Sequence, residues 1–141
     1  HLMITPHWEH FEHKADIGVR GYGNDPAEAF EQAALAMSAI ITELSLIRPS
    51  EGIDIACEEA DQELLLADWL NAVVYQMSIR MMIFSRFEVR IKDQRLVARI
   101  WGEPIDPERH QPAVEIKGAT YTELAVYKTQ GPWIAQCVVD V

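Results

Sequence analysis

The stretch that decides the fold class is RFEVRIKDQRLVARI, which occupies residues 86–100. Apolar residues take every second position on both sides of Asp93 and Gln94: Phe87, Val89, Ile91, Leu96, Ala98 and Ile100. Because successive side chains of a strand point to opposite faces, the pattern predicts two antiparallel strands joined by a tight turn. Each strand has one apolar and one wet face, so the sheet must cover its apolar face with other elements.

Two helices are predicted upstream of this hairpin. Asp25 is the expected N-cap of the first, Pro26 stands at its first position, and apolar residues then recur at helical spacing. This helix should end before the region of Pro49. The second is expected to follow the cap Asp61 and to carry apolar residues through Met77 over an arc so wide that it should be largely buried.

Further extended segments complete the predicted architecture. They are residues 8–13, 19–22 (after a loop at 14–18), 53–57, 114–120, 123–128 and 133–141. Strands joined by short turns, with two helices inserted early, imply an α+β fold in which a mostly antiparallel or mixed sheet layer packs with two helices. We expect a single domain over residues 8–141, preceded by a tag remnant and N-terminal arm at residues 1–7, with His1 and Leu2 as a cloning remnant.

Composition excludes several classes of protein. The chain has 141 residues, of which 49% are hydrophobic and 24% charged, and its two cysteines, Cys57 and Cys137, form no C-x-x-C motif. These values exclude a disordered chain, a zinc ribbon and a disulfide-dense scaffold, and both cysteines are expected to be inert core residues. No apolar run approaches the roughly 20 residues of a membrane span, and no signal peptide opens the chain, so we expect a cytoplasmic protein.

The charge balance argues against direct contact with nucleic acid. Twelve Lys and Arg stand against 22 Asp and Glu, a formal net charge of −10. Phosphate contacts require clustered cations. The cations are scattered along the chain, for example at Lys14, Arg20, Arg48, Arg80, Arg86 and Arg90. We therefore expect no strong nucleic-acid binding, and instead a bound cation or a protein partner.

Two motifs in the first strands are weak signals of a site. His7, His10 and His13 recur at a spacing of three. On a strand, His10 points away from the other two, so the three do not converge on a zinc ion without a bulge. The glycines in residues 18–23 match neither phosphate-binding fingerprint, and we interpret them as turn glycines.

Three acidic groups carry more chemistry. Asp16 lies in the predicted loop between the first two strands, and Asp140 precedes the terminal carboxylate of Val141. A turn aspartate bonded to its own backbone and a frayed polar terminus are the simpler interpretations. If the three groups gather, each close pair costs about 4 kcal/mol at about 4 Å and an effective dielectric near 20. A cation or raised pKa values would then be required, and oxygen ligands select a hard ion such as Ca²⁺, Mg²⁺ or Mn²⁺.

At these residues the sequence resembles the archease family. The resemblance lies in three blocks and the terminus: HFEHKADIGVRGYG (10–23), WGEPIDPERH (101–110), EIKGATY (115–121) and VVDV (138–141). It implies a small acidic cofactor of an RtcB-type RNA ligase that promotes ligase guanylylation and multiple turnover. It also implies a metal site formed by Asp16, Asp140 and the carboxylate of Val141, filled by Ca²⁺, or by Mg²⁺ or Mn²⁺ in the cell.

The resemblance leaves alternatives and departures. A metal-dependent phosphate hydrolase and a chaperone-like interaction module with a structural metal remain open, although the chain offers no activated nucleophile, and no catalytic residue is expected. The family usually has Thr where this chain has Lys14 and Ala where it has Gly118. The matched blocks also contain a candidate docking or activation face, whose alternative interpretation is a helical turn with ordinary strand charges: His13, Asp106, Arg109, His110 and Lys117.

Overall fold

The predicted hairpin is part of a fold with two antiparallel sheets, in a computed structural model that describes residues 3–141. In chain order the elements are β1 (His7–His13), β2 (Asp16–Gly23), α1 (Pro26–Ile41), β3 (Glu51–Glu58), α2 (Gln62–Arg80), β4 (Met82–Lys92), β5 (Arg95–Pro104), α3 (Pro107–His110), β6 (Gly118–Ala119), β7 (Ala125–Lys128) and β8 (Trp133–Asp140). The prediction for His1 and Leu2 lies outside the described residues.

The two long helices lie between the sheets. One sheet has the order β1-β2-β8-β6, with β7 also paired to β8, and the other has the order β3-β5-β4. Helix α1 packs against β2 and β8 on one side and β4 on the other, and α2 contacts strands of both sheets. The predicted α+β class, with antiparallel strands packed against helices, is confirmed, and the structure divides the strands between two sheets. Two layers are needed because α1 is buried around much of its circumference by small and apolar residues.

Strand β2 corrects the predicted loop over residues 14–18 and the predicted turn glycines. The connection is only Lys14 and Ala15, and β2 begins at Asp16. Its glycines permit close contacts within a regular strand, since a Cβ atom on Gly21 would lie 2.1 Å from the carbonyl oxygen of Ala29 in α1. The glycines therefore allow a helix to approach a sheet and do not turn the chain.

The helix caps agree with the predictions from the sequence, whereas the burial of α2 agrees with its prediction only in part. Asp25 and Asp61 accept hydrogen bonds from backbone amides in the first turns of α1 and α2, as predicted. The N-terminal part of α2 is buried up to Val73, but Tyr75 and Ile79 in its last turns are exposed. No helix within residues 3–141 is long and apolar enough to cross a membrane.

The outer face of the β3-β5-β4 sheet corrects the expectation that cations do not cluster. Arg86 and Arg90, which are scattered in sequence, point to the same face of β4 because even-numbered residues of this strand face outward. The hairpin partner β5 adds its own cations to that face. The alternation of side chains in two paired strands thus brings onto one face cations that are separated in the sequence.

Candidate metal centre

The first and last parts of the chain meet where β2 pairs with β8. The antiparallel ladder runs from Gly23 opposite Trp133 to Ile17 opposite Val139. Extended by one residue, the same register sets Asp16 opposite Asp140. Side chains of directly opposed residues lie on the same face of a sheet, with Cβ atoms about 5 Å apart. The topology therefore juxtaposes the two carboxylates.

Strands β1 and β6 complete the surroundings of this pair. His13 pairs with Asp16 across the β1–β2 hairpin, so its side chain lies on the same face. On the other edge, Gly118 pairs with Asp140, and the Lys117 amide donates to the Asp140 carbonyl oxygen at 2.9 Å. The backbone of the terminal segment is thereby held on both sides up to the penultimate residue.

Val141 is ordered by the same arrangement. Its side chain is partly buried and packs against the core. A valine anchored in this way fixes the position of the carboxylate that follows its Cα atom. Its side chain and that of Asp140 point to opposite faces of the sheet, as alternation requires.

The carboxylates of Asp16 and Asp140 form no ion pair with the described part of the chain. Among residues 3–141, neither side chain takes part in a hydrogen bond or an ion pair, and Asp16 is half-buried while Asp140 is exposed. Unpartnered carboxylate oxygens beside a terminal carboxylate form a donor set suited to a hard divalent cation. No group of three or more His, Cys, Asp and Glu residues within the described chain forms a metal cluster. The predicted set has only two such side chains, because its third ligand is the terminus.

Lys14 and Gly118, the two departures from the family pattern, both lie beside this pair. Lys14 occupies the hairpin turn in a left-handed conformation, with φ 55°. A Cβ atom on Gly118 would lie 3.1 Å from Oδ1 of Asn71, which itself accepts the amide of Ala119 at 2.9 Å. The small residue therefore leaves the Asn71 side chain room to bond β6.

Other residues of the candidate docking face surround a buried carboxylate that the sequence did not single out. Glu103 accepts hydrogen bonds from Nη2 of Arg109 at 2.5 Å, the Arg48 amide at 2.7 Å and Nε2 of His110 at 2.9 Å. Nδ1 of His110 accepts the amide of Asp106 at 2.8 Å, so its proton is on Nε2. Asp106 also caps α3, as the helical-turn interpretation predicted.

This network controls the ionisation of Glu103. Burial alone would raise the pKa of the carboxyl group, but the hydrogen bonds from Arg109, Arg48 and His110 outweigh burial and lower the pKa to about 2. His110 is 1% exposed and both ring nitrogens are engaged, so it supports the loop from within. In the candidate docking face, Arg109 is half-buried, while Asp106 and Lys117 are exposed. These three side chains are accessible to a partner.

A continuous segment connects this network to the carboxylate pair. From Glu103 the chain passes the end of α1, which two hydrogen bonds connect to it. The Thr42 hydroxyl donates to the carbonyl oxygen of His110 at 2.6 Å, and the Ala113 amide donates to the carbonyl oxygen of Ile41 at 2.9 Å. The chain then reaches Asp140 through the amide of Lys117. The predicted residues Asp106, Arg109, His110 and Lys117 therefore lie on one segment that leads to Asp140.

The weaker motifs do not form sites. His7 stacks on Tyr22, with ring centroids 4.3 Å apart, while His10 faces α1 and bonds the carbonyl oxygen of Ala36, so the predicted divergence of the histidines is confirmed. Burial raises the pKa of the Cys137 thiol to about 12, and it also raises that of Cys57. Both cysteines are free, and neither is activated as a nucleophile.

Comparisons with known proteins agree with this architecture. The model of the Archease protein family matches residues 8–141. The chain belongs to the archease family. Protein archease of Pyrococcus furiosus is 41% identical over 139 residues, covering 95% of this chain and 98% of that protein.

Two solved structures have the same fold. The solution structure of a Methanobacterium thermoautotrophicum protein superposes with a TM-score of 0.83 at 33% identity, covering 95% of this chain and 98% of the other. A Thermotoga maritima crystal structure, described as an archease and possible chaperone, gives a TM-score of 0.58 at 20% identity and covers 100% and 99%. At that identity the second comparison supports the fold alone.

Proposed function

We propose that this archease is a non-catalytic activator of an RtcB-type RNA ligase, promoting its guanylylation and multiple turnover through a cation held at the terminus. The observation that carries the proposal is the register that sets Asp16 opposite Asp140 beside the carboxylate of Val141, with neither aspartate in an ion pair among residues 3–141. The partner class is the one that the resemblance to archeases implies, and membership of the archease family supports the proposal.

The chain's own residues would hold and present the cation. Asp16 is fixed by the hairpin and Asp140 by its pairing with Gly118, so both carboxylates are held by backbone hydrogen bonds of regular strands. A divalent cation supplies charge neutralisation and orientation to phosphoryl groups in transfer. Asp140 is exposed, so a cation held there would be accessible to a docked protein. The transferring nucleophile belongs to the ligase, because both cysteines here are inert.

The deciding experiment is a reconstituted ligation of RNA with 2′,3′-cyclic-phosphate and 5′-hydroxyl ends, with the ligase in deficit. Wild-type protein should support multiple turnover, whereas Asp16→Asn and Asp140→Asn should reduce the product to about one turnover per ligase. Asp68→Asn is the matched control, because Asp68 is exposed on α2 and the charge change is the same. Full stimulation by Asp16→Asn would refute the mechanism.

A second variant tests the terminus. Residues added after Val141 replace its carboxylate by a neutral amide and leave both aspartates in place. Calcium affinity, measured by calorimetry, should fall in the extended protein. Equal affinity would remove the terminus from the ligand set. Turnover of nucleotide or RNA by the purified protein alone would instead support a phosphate hydrolase.

A chaperone-like interaction module is the second candidate, and an apolar cleft favours it. The cleft has a volume of about 420 Å³ and lies between α2, the start of β4 and the segment after α3. Met77, Met81 and Met82 line it together with several Ile and Val side chains, and methionine-rich surfaces adapt to varied partners. Stimulation of unrelated enzymes, retained in Asp140→Asn, would favour this function over ligase activation.

A further inference from the structure

The exposed face of the β3-β5-β4 sheet carries a concentration of positive charge that the proposed function does not use. Five of the chain's twelve Lys and Arg residues point outward from this face: Arg86, Arg90, Lys92, Arg95 and Arg99. All five are exposed. The helices cover only the opposite face, which carries Phe87, Val89 and Ile100.

The charge of this face is opposite to that of the rest of the molecule. The five cations stand with four acids, Asp54, Glu58, Glu88 and Asp93 of the turn, which gives the face a net charge of +1. The remaining seven Lys and Arg stand against eighteen Asp and Glu, a net charge of −11. A chain this acidic therefore maintains one locally positive face, and this separation of charge favours a polyanionic ligand there.

Three of the cations form no ion pair with any residue that the structure describes. Arg86 pairs with Glu88 and Arg99 pairs with Asp54, each at 2.8 Å. Within the described chain, no ion pair involves Arg90, Lys92 or Arg95, although Glu58 is opposite Arg95 in the register. These three cations share an open cleft of about 680 Å³ with Val97, while Glu58 and Asp93 supply its acidic groups.

The register makes the arrangement unfavourable without a ligand. Lys92 and Arg95 are directly opposite each other in the β4–β5 ladder, and like charges in that position destabilise a sheet. Arg90 lies two residues from Lys92 on the same face, about 6.8 Å away along the strand. Anionic groups bound over the cleft would relieve this repulsion, and alternate cations along a strand suit the successive phosphates of an extended chain.

We infer that this sheet face binds single-stranded RNA, with phosphates over Arg90, Lys92 and Arg95 and bases towards Trp101. The guanidinium carbon of Arg86 lies 4.5 Å from the Trp101 ring centroid, and that of Arg99 lies 5.7 Å from it. Planar guanidinium groups and aromatic rings on an open sheet provide surfaces for unpaired bases. An acidic protein would contact the cations alone, whereas unpaired bases would also stack on these planar groups, which Glu88 and Asp54 help to position.

The inference does not depend on ligase activation, because this chain and RNA alone test it. The full-length protein is titrated into a fluorescein-labelled oligo-uridine of about 12 nucleotides at about 50 mM salt, and anisotropy is measured. Three phosphate contacts predict a slope of about −2 for log affinity against log salt. The variant Arg90→Gln/Lys92→Gln/Arg95→Gln should lose at least about tenfold in affinity, with a slope near zero.

The matched control is Arg48→Gln/Arg80→Gln/Lys128→Gln, which removes the same charge from exposed positions outside this face. It should bind RNA within about twofold of wild type. Arg95→Gln alone, the mildest variant, should reduce the slope by about 0.7. Absence of binding at about 50 mM salt, or an equal loss in the control variant, would overturn the inference. Displacement of the RNA by polyglutamate as readily as by unlabelled RNA would assign the face to acidic proteins and also overturn it.

Discussion

Two groups of carboxylates in this fold differ in what surrounds them. Glu103 is buried and accepts three hydrogen bonds, two of them from the side chains of Arg109 and His110. The side-chain carboxylates of Asp16 and Asp140, in neighbouring strands, accept no hydrogen bond from the described residues. The two groups lie at the ends of one segment that crosses the end of α1.

The difference separates structural acids from acids available to an external cation. The protein neutralises Glu103 with a guanidinium group and two further donors, so nothing from solvent is required. The aspartate pair brings like charges together, and no described residue forms a hydrogen bond or ion pair with either carboxylate, so a cation from outside the chain would relieve the repulsion. Saturation of hydrogen-bonding capacity, more than acidity, therefore distinguishes a candidate metal ligand in this molecule.

The largest expected effect comes from removing the charge that the protein itself neutralises. Glu103→Gln should lower the free energy of unfolding by about 3 kcal/mol, because it leaves the Arg109 guanidinium without its anion and introduces a buried amide with fewer satisfied bonds. Urea denaturation monitored by circular dichroism measures the change. The control Glu108→Gln, exposed in α3, should change it by less than about 0.5 kcal/mol. Equal effects would remove the distinction between the two classes of acid.

The second expected effect concerns calcium. At a free concentration about 100 times its dissociation constant, Ca²⁺ should raise the free energy of unfolding of wild-type protein by about 2.7 kcal/mol. Asp140→Asn should abolish this increase, whereas Glu103→Gln, although less stable, should keep it. Thermal unfolding with and without Ca²⁺ measures both. A calcium shift that survives in Asp140→Asn would contradict the ligand assignment.

The third expected effect is an acid-dependent loss of stability from Glu103. Its pKa falls from the ordinary value of 4.5 to about 2 in the folded protein. The ionised Glu103 carboxylate therefore contributes fully to the free energy of unfolding above about pH 4.5. This contribution is lost as the pH falls through about 2, where the carboxylate takes up its proton in the folded protein. Between these values Glu103→Gln should show a flatter decline of stability than wild type. Parallel declines would show that Glu103 is not the group responsible.

Much of the fold could be predicted because it rests on local patterns. The caps Asp25 and Asp61 and the turn at Asp93 occur where their sequence signals place them. The interpretation of the glycines in residues 18–23 as turn glycines is wrong because glycine is ambiguous in sequence: the same residue type serves turns and close approach. Only the tertiary fold shows that the carbonyl oxygen of Ala29 lies where a Gly21 Cβ atom would be.

The candidate site was accessible from the sequence to different degrees. Asp16 was recognisable as an acid of the predicted loop and Asp140 as an acid at the end of the last strand. Their register depends on β2 and β8, which more than a hundred residues separate. Glu103 was missed because one acidic residue in a strand gives no signal of burial. The basic sheet face did have a signal, the alternation of Arg86, Arg90 and Lys92 with apolar residues, and a count by face instead of by position would have found it.

The smallest expected effect concerns Lys14, which influences the aspartate pair by its charge and the hairpin by its backbone. A left-handed conformation with φ 55° is costly for a residue with a Cβ atom, and most costly for a β-branched one. Lys14→Gly should therefore raise the free energy of unfolding by about 0.5 kcal/mol, after allowing for the greater flexibility of the unfolded chain, and Lys14→Thr should lower it. Both variants remove the same positive charge near Asp16, so both should raise calcium affinity by about twofold. If both variants gain calcium affinity equally while their free energies of unfolding change in opposite directions, the charge of Lys14 acts on the site independently of backbone strain. If calcium affinity instead rises and falls with the free energy of unfolding, Lys14 acts on the site only through the turn.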